Sequence, residues 1–228
     1  MAQNNKIVTI HQPQYIPYLG FFNKVLKSDI FIVLDDVSIN KGGFTNRNRI
    51  KTLNGPIWIT IPLVRNNKII KNIKIQNTFW IKKHLKSLHY NYSNASFFDV
   101  IMPSFKQVLL SKPWDSLVEL NMSLLNYLLG LLDIEVEISF SSRFDKSSKG
   151  SQKLVDLVNC VGGSRYLAGP GSKDYLDEST FRASSIEVIQ QNFLDKPYEQ
   201  MYGSYESNLS ILDSLFNVGP DGVKKLIK

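Results

Sequence analysis

Residues 7–10, Ile-Val-Thr-Ile, and residues 30–34, Ile-Phe-Ile-Val-Leu, are apolar runs of strand length, and residues 19–26 between them carry apolar side chains at helical spacing. Strand, loop, short helix and strand form a βαβ unit, which demands a parallel pair and a right-handed crossover. In such sheets ligands bind beyond the carboxyl ends of the strands. Both ends are polar here: the first run stops at His11-Gln12 and the second at Asp35-Asp36. Pro13 and Pro17 fix φ and hold the segment after His11 extended, so an imidazole at the strand end is carried on a stiff loop.

The rest of the chain continues the alternation. Residues 57–62 read as a strand closed by Pro62. Residues 69–75 alternate apolar and basic side chains as a half-exposed strand, giving an antiparallel basic insertion at about 55–76. Residues 79–92 are helical in pattern, with Trp80 or Ile81, Leu85 and Leu88 inward and Lys82, Lys83 and Lys86 outward. Residues 117–132 carry a leucine stripe and form the longest helix. Strands at 134–140, 165–168 and 186–189 alternate with helices at 154–161, stopped by Gly162-Gly163, and at 209–216. The fold expected is α/β: a single domain over residues 1–228 with a mostly parallel, doubly wound sheet and the basic β insertion.

Apolar residues are 43% of the 228 and charged residues 21%, the balance of an ordered globular chain. Cys160 is the only cysteine and sits in an apolar helix, where it reads as core. An intrachain disulfide and an all-cysteine zinc site are thereby excluded. No apolar segment approaches the ~20 residues of a membrane span, and the chain reads as cytoplasmic and soluble. The formal charge of +7 is unevenly spread: residues 37–98 contain 11 Lys and Arg and no Asp or Glu, which leaves −4 for the remainder. An acid-free basic segment points to an anionic partner, whether phosphate, diphosphate, nucleic acid or anionic lipid.

Candidate chemistry follows from these positions. His11 can hydrogen-bond a phosphate or move a proton, and Gln12 and Tyr15 can orient a ligand beside it. Successive strand residues point to opposite faces, so one of Asp35 and Asp36 can serve the site while the other caps or pairs with a lysine. Lys41 completes the catalytic candidates. In the segment Lys41-Gly42-Gly43-Phe44-Thr45-Asn46-Arg47-Asn48-Arg49-Ile50-Lys51, Arg47 and Arg49 can present planar forks to a diphosphate from one face of a strand. Asn46, Asn48 and Lys51 supply further polar contacts. His84, Tyr166 and the loop Gly169-Pro170-Gly171-Ser172-Lys173 join the binding candidates, although that loop lacks the Walker spacing. His84 and His89, five apart on a helix, cannot share a metal, and no metal site is expected.

The stretches HQPQYIPYLGFFNK, DIFIVLDDVSINKGGFTNRNRIKT, WITIPL, YLAGPGSKDYL and NLSILDSLFNVGPDG, together with the helix containing KKH, resemble the WbqC-like family of bacterial proteins over residues 7–222. That resemblance implies work in O-antigen and other surface-polysaccharide assembly on a nucleotide-linked amino sugar. N-acylation by aminoacyl, acetyl or formyl transfer, or by ATP-dependent ligation, is the expected reaction. His11 or an Asp of the pair would be the base, with Arg47 and Arg49 on the diphosphate of a dTDP- or UDP-sugar. The acyl donor, ATP and Mg²⁺ are open as cofactors, and a homodimer is the assembly considered. The opening βαβ also resembles that of nucleotidylyltransferases and pantothenate synthetase, but no H-x-G-H follows His11 and adenylate chemistry is not carried over. The alternatives are a non-catalytic sugar-nucleotide partner of a glycosyltransferase and, less favoured, a nucleic-acid-binding protein.

Overall fold

The computed structural model describes residues 5–64, 66–145, 147–172 and 176–228. In chain order the elements are β1 (Ile7–His11), α1 (Leu19–Leu26), β2 (Ile30–Val33), β3 (Arg47–Ile50), β4 (Ile57–Thr60), α2 (Phe79–Tyr92), α3 (Phe98–Leu110) and α4 (Leu117–Leu131). Then come β5 (Glu137–Phe140), α5 (Gly150–Cys160), β6 (Arg165–Ala168), α6 (Glu178–Ala183), β7 (Glu187–Gln190) and α7 (Ile211–Leu226). They fall into two compact units, each assembled from distant stretches. The first takes residues through Gln12, Asn23–Asp36 and Glu135–Leu194; the second takes Pro13–Phe22, Val37–Ile134 and Asp195–Lys228.

The first unit holds a five-stranded sheet in the order β5-β2-β1-β6-β7, with every pairing parallel. The expected α/β class with a mostly parallel sheet is borne out. Register couples Thr9 to Phe31 and His11 to Val33, and β2 continues the sheet to β5 through Val33 and Phe140. Val8 and Ile10 of β1, Ile30 and Ile32 of β2, and Tyr166 and Ala168 of β6 pack on Val155 and Val158 of α5 and Phe181 of α6. The intervening Thr9, Phe31, Val33 and Leu167 point to the opposite face and are equally buried. Burial on both faces explains why these strands are predominantly apolar. The strand order reverses between β1 and β6, so their carboxyl ends, at His11 and Ala168, flank the switch point.

α5 ends as its glycines require: Gly162 has φ +68°, and the Gly163 amide closes on the Val158 carbonyl at 2.9 Å. Cys160 is corrected from core to surface. The buried stripe of α5 runs through Val155 and Val158, and a residue two positions on has rotated away from it.

The second unit contains α2, α3, α4, α7 and an antiparallel hairpin. β4 pairs with β3, Arg47 opposite Thr60 and Arg49 opposite Trp58. Residues 69–75 are not its partner: a 3₁₀ turn, Ile70–Asn72, takes their centre, and isolated bridges carry the rest. Ile70 and Ile73, three apart, are both buried while Lys71 and Lys74 are exposed, a period of three that alternation had mimicked. α2 has the expected bounds. α3, inside which Pro103 falls, is an element the sequence pattern did not disclose. The terminal helix runs past residue 216 to Leu226 through a break at Gly219, φ +69°, where a Cβ would lie 2.6 Å from the Phe97 ring. Among the described residues no helix is long and apolar enough to cross a membrane.

Candidate functional site

At the switch point of the first unit, four elements bring polar groups together. β1 delivers His11, and α1 delivers Asn23 and Lys24. The backbone after β6 delivers Gly169, and the residue after β7 delivers Gln191. His11 Nδ1 lies 2.9 Å from the Gln12 carbonyl. A carbonyl only accepts, so the hydrogen is on Nδ1 and the lone pair is on Nε2. Lys24 is 5% exposed, and its Nζ donates to the Ile10 carbonyl at 3.3 Å. Among the described residues it has no carboxylate partner. Gln191 Nε2 donates to Asn23 Oδ1 at 2.8 Å, and its main-chain amide closes on the Ala168 carbonyl. A Cβ at Gly169 would sit 3.7 Å from Lys24 Nζ and 4.0 Å from Gln191 Oε1, so glycine keeps the space beside the ammonium open.

Burial dominates the electrostatics. It lowers the Lys24 pKa from 10.5 to about 7. It also lowers that of His11 from 6.5 to about 4, assisted by the Lys24 charge and opposed by the Gln12 hydrogen bond. At neutral pH a neutral imidazole therefore stands beside an amine near its own titration point. A bound anion would favour the charged form of each.

Asp35 and Asp36 lie just past β2, where the alternation of a strand no longer applies, and both carboxylates are within hydrogen-bond reach of the Ser141 hydroxyl, at 3.1 and 2.5 Å. Asp36 pairs with Lys153 of α5 at 2.6 Å. Burial alone would raise its pKa, but the Lys153 ammonium and the Ser141 hydroxyl outweigh that and hold it below the usual carboxylate range. Asp35, 4% exposed, accepts from the Ser142 amide at 3.0 Å and the Ser142 hydroxyl at 2.7 Å, while its own amide donates to Ser141 Oγ at 3.1 Å. It clamps the segment after β2 to the segment after β5. Tyr166, 3% exposed, stacks on Phe181 in the core. In the loop after β6, Ser172 folds back, its amide and hydroxyl both on the Gly169 carbonyl, and Gly171 is exposed. Lys173 lies outside the described residues.

The other sequence-predicted residues belong to the second unit, where most cross-link the fold. Arg47 donates to the carbonyls of Gly42 at 2.5 Å and Gly43 at 3.4 Å, with its guanidinium 4.1 Å from the Trp58 ring centre. Arg49 donates to Ser207 and Asn208 carbonyls, both at 3.2 Å. Asn46 donates to Ile61 O, and buried Asn48 to Tyr15 O and Ile16 O. Lys51 is 2% exposed, its Nζ on Gln200 Oε1 and the Ser204 carbonyl. Both arginines lie on one face of β3, as the spacing of two predicts, yet their forks grip main-chain carbonyls. Tyr15 is buried with its hydroxyl 2.9 Å from His84 Nδ1, and Lys41 is exposed. Lys24, Asn23 and Gln191 were not singled out in the sequence. Their one trace is the polar pair Asn23-Lys24 inside an apolar helix.

His84 repeats the behaviour of His11. Burial lowers its pKa to about 4 against a main-chain hydrogen bond to Thr60 that works the other way. With folded-state values below 6.5, the unfolded chain binds more protons between pH 6.5 and 4. The stabilising contribution is full above 6.5 and is lost as pH falls toward 4, at up to about 3 kcal/mol per histidine. The urea midpoint is expected to drop between pH 7 and 4.5, and His84→Asn to flatten the drop. Equal slopes for the two proteins would contradict it.

Comparison with known proteins agrees with the motifs. The sequence profile of the WbqC-like protein family matches residues 12–225. The chain is 34% identical over 220 residues to the uncharacterized protein Rv1507c of Mycobacterium tuberculosis (strain ATCC 25618 / H37Rv), an alignment covering 95% of each chain. The chain belongs to the WbqC-like family.

Proposed function

We propose that this WbqC-like protein is an enzyme of surface-polysaccharide assembly that N-acylates the amino group of a dTDP- or UDP-linked sugar. The observation that carries this reading is the pairing of the neutral His11 imidazole with the buried Lys24 amine at the switch point of the sheet. The free amine of the sugar attacks the carbonyl carbon of an activated acyl donor, and the carbonyl electron pair moves onto oxygen. The Lys24 ammonium stabilises that oxyanion. Once bonded to the acyl carbon the nitrogen is far more acidic, so a base as weak as His11 suffices, and Nε2 accepts its proton. Collapse restores the carbonyl and expels the leaving group with its bonding pair, and the leaving group takes up the proton from His11. The acyl group is aminoacyl, acetyl or formyl, delivered preformed or activated with ATP. Gly169 leaves room for the reacting centre beside Lys24.

Purified protein incubated with dTDP-amino sugars, ATP and a series of acyl donors is expected to add one acyl mass to the sugar nucleotide, read by mass spectrometry. His11→Ala is expected to retain sugar-nucleotide binding and to lose about 10²–10³-fold in turnover. A sugar nucleotide that neither binds nor gains mass with any donor overturns the proposal. Binding without turnover by the unaltered protein would instead mark a non-catalytic partner of a glycosyltransferase.

A further inference from the structure

The second unit carries a groove between α2 and α3 that the proposed chemistry does not use. Its volume of about 720 Å³ lies within the roughly 300–1,000 Å³ usual for small-molecule sites. Ile81 and Leu85 of α2 and Met102 and Leu110 of α3 supply an apolar lining, and Lys82, Lys86 and Lys106 add positive charge. Leu110 is 55% exposed, a large apolar side chain left at the surface. No carboxylate lines the groove, and among the described residues none of the three lysines has an ion-pair partner. Lys82 and Lys86 stand one helical turn apart, where like charges repel unless an anion lies between them.

We infer that this groove binds a single-chain anionic amphiphile, with its hydrocarbon on Leu85, Met102 and Leu110 and a phosphate head on Lys82, Lys86 and Lys106. Lysine binds phosphate as a point charge, without the planar fork of arginine. Nucleic acid would use the lysines but leave the apolar lining idle. A second copy of the chain would use the lining but oppose two sets of three ammonium groups.

Isothermal titration of the full chain with dodecyl phosphate, below its micelle-forming concentration, tests this. Saturable binding is expected, with inorganic phosphate and the neutral dodecyl maltoside each at least about tenfold weaker. Combining Lys82→Gln, Lys86→Gln and Lys106→Gln neutralises three exposed charge contacts and is expected to weaken binding about tenfold with the melting temperature unchanged. Met102→Gln, which makes the lining polar without adding a charge, is expected to weaken it as strongly. Equal affinity for dodecyl phosphate and dodecyl maltoside overturns the inference, as does indifference to the lysine substitutions. Three other results also overturn it: flotation with phosphatidic acid vesicles without binding of the free amphiphile, a lysine-dependent gel shift of an oligonucleotide that dodecyl phosphate does not compete, and a dimer that Met102→Gln dissociates.

Discussion

Lys24→Met is expected to raise the melting temperature of the protein and to remove its activity. The fall of the lysine pKa from 10.5 to about 7 means that the unfolded chain holds the proton more tightly across that range, a preference on the order of 4 kcal/mol at pH 7. Methionine has a similar length and no charge to desolvate, and the one hydrogen bond forfeited, to the Ile10 carbonyl at 3.3 Å, is long. The net gain is therefore about 2–4 kcal/mol, or roughly 5–10 °C in a chain of this size. The sign has its own check. Stability held back by a depressed lysine pKa is absent below that pKa and returns as pH rises to 10.5, so the advantage of the variant is expected to shrink toward pH 10. Loss of oxyanion stabilisation is expected to cost at least about 10²-fold in turnover. A variant that is more stable and fully active would leave Lys24 without a chemical role.

Asp35→Ala is expected to do the reverse, lowering stability while sparing the chemistry. Its carboxylate accepts from the Ser142 amide and hydroxyl, and removal leaves a main-chain donor without its partner in a site that is 4% exposed at Asp35. Orphaned buried partners of a charged group make this a loss of about 2–4 kcal/mol. Urea unfolding reads it directly, and turnover per folded molecule is expected to stay within about tenfold of the unaltered protein. Full stability with abolished turnover would return Asp35 to the reacting centre, where its place at the end of β2 first suggested it.

Much of the fold was legible because apolar periodicity is a local property. β1, β2 and β6 are buried on both faces, so β2 is an unbroken apolar run while β1 and β6 are apolar except at Thr9 and the terminal His11 and Arg165, and α4 carries its leucine stripe along one side. Residues 69–75 misled because isoleucines at a spacing of three or two fit a short 3₁₀ turn as well as a strand, and only the pairing of β4 with β3 decides between them. Candidate site residues were legible only where the strand end itself carried unusual residues. His11 closes its strand and was identified. Gln191 follows its strand directly, but nothing local distinguishes it from an ordinary surface glutamine.

The sequence by itself determined the parallel sheet, the polar carboxyl ends at His11-Gln12 and Asp35-Asp36, the acid-free basic segment and the family. These are statements about order, spacing and composition along one strand of chain. Only the tertiary structure decided what each polar group is for. It set Asp36 on Lys153, Asp35 on Ser142, and Arg47 and Arg49 on main-chain carbonyls, and it buried Lys24 beside His11 with no carboxylate partner among the described residues. The physical reason is that the use of a charge depends on what lies within a few ångströms of it, and those neighbours come from four or five residues away for Arg47 and from more than a hundred for Asp35, Asp36 and Arg49.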